Sequence, residues 1–363
     1  MPKHHLTTKN ERRSEGLNLM VEELEPRIVL SGNVIVSVSG GSLKISGDDD
    51  DNSIKIDQTG LPSGQYRVTS QDGTTTINGA AGPLIFSGVT GDILAKMNDG
   101  NDFVKLENAD VDGNLVIDGG NGNNSVLLDN VGPDSNLTVK NGDGNDTFQM
   151  LGSSFISGNV TLANGAGSTN TVINSSGIGE SLSVKNGDGN DTFQMLGSSY
   201  ITGNVTLANG IGSTNTVINS SGIGANLSVK TGDDGDFVGL FGATVYGTTA
   251  LSTGAGLDLV RIDNSGFVGA VSINTGEGND AVEIEANGAT PGPVTTFDDI
   301  LVVNVAGGND TIVVGLPGPA GNEIVTNDAV TFDGGSGVDS LEYLGNGNSF
   351  AESPTVVNIE MIT

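Results

Sequence analysis

The chain has 363 residues, 57 of them Gly, only 4% aromatic, with no Cys and no Trp, and a formal net charge of −30. Without Cys, disulfides, thiolate nucleophiles and cysteine zinc sites are excluded, and because the only histidines are His4 and His5, a Ser-His-Asp triad in the rest of the chain is excluded too. Residues 1–30 are neutral by count, so the remainder carries 39 acids against nine bases; that field repels nucleic acid and anionic membrane and attracts cations, and no apolar run is long enough to span a membrane.

Residues 1–32 are polar and charge-mixed, and SEGLNLMVEELE has the pattern of a short amphipathic helix. LNLM and IVL are too short for the apolar part of an ordinary signal peptide. The stretch Leu24-Glu25-Pro26-Arg27-Ile28-Val29-Leu30 resembles the LEPR-XLL domain, with Val29 at a position usually held by Leu. That short N-terminal segment opens large repeat-rich bacterial proteins thought to be exported, so the resemblance implies an extracellular or cell-surface location.

From Asn33 the sequence alternates as strands do: NVIVSV, then SLKISGDDDDNSIKI, YRVTS, GTTTI and PLIFSGVTG at irregular spacing. Residues 33–90 read as an atypical first pair of coils, because the open end of a solenoid must differ from its interior. The repeat body follows over 91–345. Its centre is a 45-residue unit written twice, at 136–180 and 181–225, with six differences. Each unit splits into two halves of strand, Gly/Asn/Asp turn and strand, so the basic period is about 22 residues.

The turn recurs as NDGND, GNGNN, GDGND, GAGSTN, GDGND, GIGSTN, GDDGD, GAGLD, GEGND, GGND and GSGVD, and each copy ends in Asp or Asn. Read by those last residues, the series runs Asp102, Asn124, Asp146, Asn170, Asp191, Asn215, Asp236, Asp258, Asp280, Asp310 and Asp339. Within a coil, alternation points Leu137, Val139, Phe148 and Met150 inward, with Val160, Leu162 and Val172 at matching places in the next. Asn174 and Asn219 fall on the same inward phase, which leaves open an internal Asn ladder or a corner. Parallel strands joined by crossovers of the usual hand predict an all-β, right-handed parallel β-helix; about 13 rungs at roughly 4.8 Å each make a rod on the order of 60 Å long. Pro-Gly punctuation in ANGATPGPVTTFDD and GLPGPAGNEIVTND marks loops that protrude, and 346–363 reads as a capping strand after Pro354.

The turn Asn141-Gly142-Asp143-Gly144-Asn145-Asp146-Thr147-Phe148, and its copy at 186–193, resembles the nonapeptide repeat of RTX (hemolysin-type) calcium-binding proteins, GGxGxDxUx, with Asn in place of the first Gly. The resemblance implies Ca²⁺ between the turns of successive coils, held by Asp carboxylates and turn carbonyls. The candidate ligands are Asp102, Asp143, Asp146, Asp188, Asp191, Asp236, Asp258, Asp280, Asp310 and Asp339, and the unbroken run from Asp236 to Asp339 is the first place to look. A hard cation takes six to eight oxygens, which stacked acidic turns can supply. The alternative is plain turn chemistry, since Asn, Asp and Gly suit any solenoid corner without metal. The excess of acids tips the reading to calcium, because Asn would serve a turn as well as Asp.

An enzyme is the rival class, since polysaccharide lyases and hydrolases use β-helices. Here nearly every acid belongs to the repeat, Arg67 and Arg261 are the only arginines after Arg27, and the aromatic platforms of sugar-binding grooves are not evident in a chain without Trp and with few Tyr. Outward threonines (Thr138, Thr147, Thr161, Thr192, Thr206) do not make the unbroken columns of an ice-binding face. The expectation is therefore a non-enzymatic secreted or surface protein with a structural or adhesive role, whose partners are calcium ions and cell-envelope polymers or other surface proteins.

Overall fold

The computed structural model describes residues 32–286, 294–315, 323–343 and 347–363. The LEPR-like segment, the two histidines and most of the two Pro-Gly loops lie outside the described residues. Among the described residues there is no helix: the chain winds as a parallel β-solenoid of about 12 turns, with rungs about 22 residues apart. Two 15-stranded sheets and one nine-stranded sheet form the sides, and a four-stranded ladder of two-residue strands lines one corner.

The period-2 alternation builds the core directly. One interior column runs Val104, Val126, Phe148, Thr171, Phe193, Thr216, Val238, Val260, Val282, Ile312 and Leu341 through consecutive parallel pairings. Phe148 and Phe193 alternate with Thr171 and Thr216, so large and small side chains share the space between coils. The neighbouring column contains Met150, Ile173, Met195, Ile218 and Leu240, all fully buried. The opposite sheet contributes Leu137, Val160, Leu182, Val205 and Leu227, and the short third sheet Ile156, Ile178, Ile201, Ile223 and Val245. Phe267 and Phe297 stack at 5.2 Å between centroids in successive coils of the third sheet.

Two readings of the duplicated units need correction. Val172 points outward and Thr171 with Ile173 points in, while Asn174 is half-buried and Asn219 exposed at a corner beside the left-handed Ser175 and Ser220. The turn GAGST is as long as GDGND and pairs with it residue for residue, Asp146 against Thr169 and Asp191 against Thr214, so the turn ends one residue before Asn170 or Asn215 and every side chain of the following strand has the opposite phase to that reading. An Asn ladder does exist, but elsewhere: the Asn141, Asn164 and Asn186 amides donate in turn to Asn164, Asn186 and Asn209 at 3.0, 2.8 and 2.8 Å.

At the N-terminal end Ser42–Ser46 and Ser53–Asp57 join the parallel sheets, Asn33–Ser39 lies antiparallel on Ser42–Ser46 and parallel to Thr76–Ile77, and Gln65–Ser70 lies antiparallel between Ser53–Asp57 and Leu84–Ser87. Tyr66 is buried in this cap, and its hydroxyl donates to the Asp110 carbonyl. Asp57, almost wholly buried, receives Arg67 at 3.0 Å. At the other end Thr355–Val357 and Met361–Ile362 add a last parallel rung.

Candidate metal centre

Eight of the ten candidate carboxylates form one buried column. Asp102, Asp146, Asp191, Asp236, Asp258, Asp280, Asp310 and Asp339 each have between 1% and 3% of their surface exposed. In every one Oδ1 accepts the backbone N–H of the equivalent residue one coil earlier: Asn52, Asn124, Thr169, Thr214, Asp236, Asp258, Asp280 and Asp310, at 2.6–2.9 Å. The column ends on Glu360, which accepts from Asp339. Asp143 and Asp188 are not part of it. They are exposed in the outer turn, where they accept the Ala166 and Ile211 N–H groups, each at 2.9 Å.

The column also corrects the positions of its gaps. Thr169 and Thr214, not Asn170 and Asn215, stand between the carboxylates, and both asparagines are exposed. Thr169 serves the column with its hydroxyl as well, donating to Asp191 at 2.8 Å.

The glycines hold the turn together. Gly144 has φ +147, and a Cβ there would come within 2.0 Å of the Gly122 carbonyl oxygen one coil below. Only glycine permits both that conformation and that approach. Gly278, at φ +149, repeats the arrangement against Gly256.

The second carboxylate oxygen is the feature that plain turn chemistry leaves unexplained. Oδ2 of all eight column aspartates is buried without a hydrogen-bond partner. Asn124 shows what this position faces: its Nδ2 donates to the Gly120 and Gly122 carbonyls, both at 3.1 Å, while its Oδ1 accepts the Asp102 N–H. At Asp146 the Oδ1 contact is the same, so the place of that amide is taken by an oxygen with nothing to donate. Desolvation pushes Asp102 up to about 7 and Asp146, Asp236 and Asp310 up to about 6. Burial likewise raises Asp191, Asp258 and Asp280.

Elsewhere on the rod the N–H groups of successive turns are capped mainly by neutral groups. Asn114, Asn136 and Asn159 do so in one exposed column, and Asn101, Asn123 and Asn145 in another. Capping alone therefore does not require carboxylates. A hard cation fits the orphaned oxygens, and the donors beside it would be turn carbonyls. Among the described residues no three His, Cys, Asp or Glu side chains converge, so each coil offers one carboxylate. No family model, curated protein or solved structure matches this chain.

Proposed function

We propose that the chain is a non-enzymatic structural solenoid, stiffened by Ca²⁺ along its aspartate column and working outside the cell or at its surface. The observation that carries the reading is the column of buried Oδ2 atoms without hydrogen-bond partners, because a carboxylate oxygen taken out of water is stabilised by a bound cation. The RTX-like turn and the LEPR-like segment favour calcium and export respectively.

The charge supplies a mechanism. At low calcium the carboxylates oppose close stacking and keep the chain loose enough to export. Outside, Ca²⁺ binds only the folded form, and each site held at a hundredfold excess over its Kd adds about 2.7 kcal/mol. Thermal unfolding followed by circular dichroism, in millimolar calcium, in magnesium and in chelator, is the test. A large calcium-specific rise in Tm supports the reading. Equal melting in all three overturns it in favour of a metal-free solenoid whose column holds protons.

A further inference from the structure

A groove runs along the corner of the rod formed by the short third sheet, on a different part of the coil from the aspartate column. It is made of three shallow troughs of about 350, 290 and 380 Å³. The first and second share Ser153 and Phe155, and the second and third share Ser198 and Tyr200, so they are continuous. The groove crosses eight coils, from the one holding Gln58 to the one holding Tyr246, a length of ~34 Å at the spacing of stacked strands.

Its walls carry three exposed aromatic rings, of which Phe155 and Tyr200 share one register position and Tyr246 lies two residues beyond it. Phe155, Tyr200 and Tyr246 are 52%, 45% and 54% exposed, although core packing could have buried them. In the pairing register Phe155, Gly177, Tyr200 and Gly222 follow one another coil by coil. Each of the first two rings rests against the glycine of the next coil: a Cβ at Gly177 would lie 2.8 Å from the Phe155 ring, and one at Gly222 would lie 2.6 Å from the Tyr200 ring. The glycines thus hold the rings down on one side and leave the other side open. Phe155 and Tyr200 stand two coils apart, ~10 Å along the rod axis, and Tyr246 closes the trough that begins at Tyr200.

Between the rings the lining is hydroxyl and amide, with Ser153, Ser175, Ser198 and Ser220 on left-handed or exposed corner positions and Asn108 and Asn130 at the N-terminal end. Asp110 is the only charged side chain in the groove. On a rod of net charge −30, an anionic polymer would be repelled, and a cationic one would meet a single carboxylate, Asp110, in the lining. We propose that this groove binds a linear, neutral, β-linked polysaccharide lying along the rod. The two-coil spacing of the Phe155 and Tyr200 platforms matches the disaccharide step of such an extended chain, and the serine and asparagine groups beside them pair with sugar hydroxyls. The inference is independent of the calcium reading, since no column aspartate lines the groove.

The test uses the folded full chain in calcium buffer, with neutral β-1,4-linked glucan hexasaccharide as probe and a uronic-acid hexasaccharide as comparator. Binding is followed by calorimetry and by tyrosine fluorescence, which Trp does not obscure in this chain. The expected result is binding of the neutral probe, weakened about tenfold by Tyr200→Ala and more by Phe155→Ala with Tyr200→Ala together. Both rings are half-exposed, so the variants should melt within a few degrees of wild type. Gly222→Val, which displaces the Tyr200 ring, should weaken binding while Tyr200 is still present. No binding of the neutral probe, preference for the uronic-acid probe, or binding indifferent to the double variant would each overturn the proposal.

Discussion

Coils 136–225 and the coils carrying Asp236 to Asp339 use the same column position in two ways. In the duplicated units Asp146 and Asp191 alternate with Thr169 and Thr214, so a hydroxyl coil separates each carboxylate from the next. In the later coils five aspartates follow one another, each accepting an N–H from its neighbour. Their repulsion adds to desolvation: Asp236 is raised further by Asp258, Asp280 by Asp258, and Asp310 by Asp280 and Asp339, whereas desolvation acts at Asp146 and Asp191 without a neighbouring carboxylate. The same fold thus holds a segment whose column carboxylates meet desolvation alone beside one in which repulsion between neighbouring carboxylates is added to it.

The largest effect that would expose this difference is in hydrogen exchange. In chelator, amides of the strands Leu259–Asp263, Ala281–Ile284 and Thr311–Val314 should exchange ~100-fold faster than in calcium, equivalent to losing one saturated site, while Asp146–Leu151 and Asp191–Leu196 respond less, their carboxylates having no carboxylate neighbour. Uniform change along the rod would erase the distinction between the two regions.

A pH titration of stability in chelator comes next. Asp102, Asp146, Asp191, Asp236, Asp258, Asp280 and Asp310 have folded pKa values above the roughly 3.9 of an unfolded Asp. Below that value both states are protonated and burial carries no penalty; between it and the folded values the native state binds more protons, so unfolding free energy falls as pH rises. The metal-free protein should therefore be most stable near the acidic end of the range and lose stability from about pH 4 up to about pH 6 to 7, by which Asp102, Asp146, Asp236 and Asp310 have ionised in the folded state. Calcium competes with the proton and should flatten that fall. A melting temperature that rises from pH 5 to pH 8 in chelator would contradict the sign.

Substitutions at one position sharpen the comparison further. Asp258→Ala removes the acceptor of the Asp236 N–H and should cost about 1–3 kcal/mol in urea unfolding. Asp258→Asn keeps that acceptor and supplies the donor that Asn124 uses toward its turn carbonyls, so in chelator it should be about 1 kcal/mol more stable than wild type and respond less to calcium. If Asn proves as harmful as Ala, crowding of oxygens in the turn is not the problem. The smallest effect belongs to Asp143→Ala and Asp188→Ala, which lie outside the column and should change stability by about 0.5 kcal/mol, leaving the calcium response intact.

Much of this architecture is written locally. Alternation over Leu137 to Lys140 and Asp146 to Leu151 assigns the buried face, glycine at turn positions such as Gly144 marks where the backbone turns left-handed, and the 22-residue period sets the stacking. Because each coil touches mainly its neighbours, those local rules propagate without long-range information. Eight candidate carboxylates could be named in advance for that reason. Asp143 and Asp188 could not be told from them, since composition treats every acid of a turn alike and only stacking decides which faces inward.

What tertiary structure alone decided follows from register. In GAGSTN either Thr169 or Asn170 could end the turn, and the choice fell to Thr169 because its N–H and hydroxyl both meet Asp191 in the next coil. The N-terminal hairpins depend on which strand edges remain open, a property of the assembled sheet. The groove depends on it as well: Phe155, Tyr200 and Tyr246 are 45 or so residues apart and look isolated in a chain poor in aromatics. Coiling brings Phe155 and Tyr200 onto one line because the 45-residue unit spans two coils, and sets Tyr246 two residues beyond that line, where Thr244 stands; that relation exists only once the chain is wound.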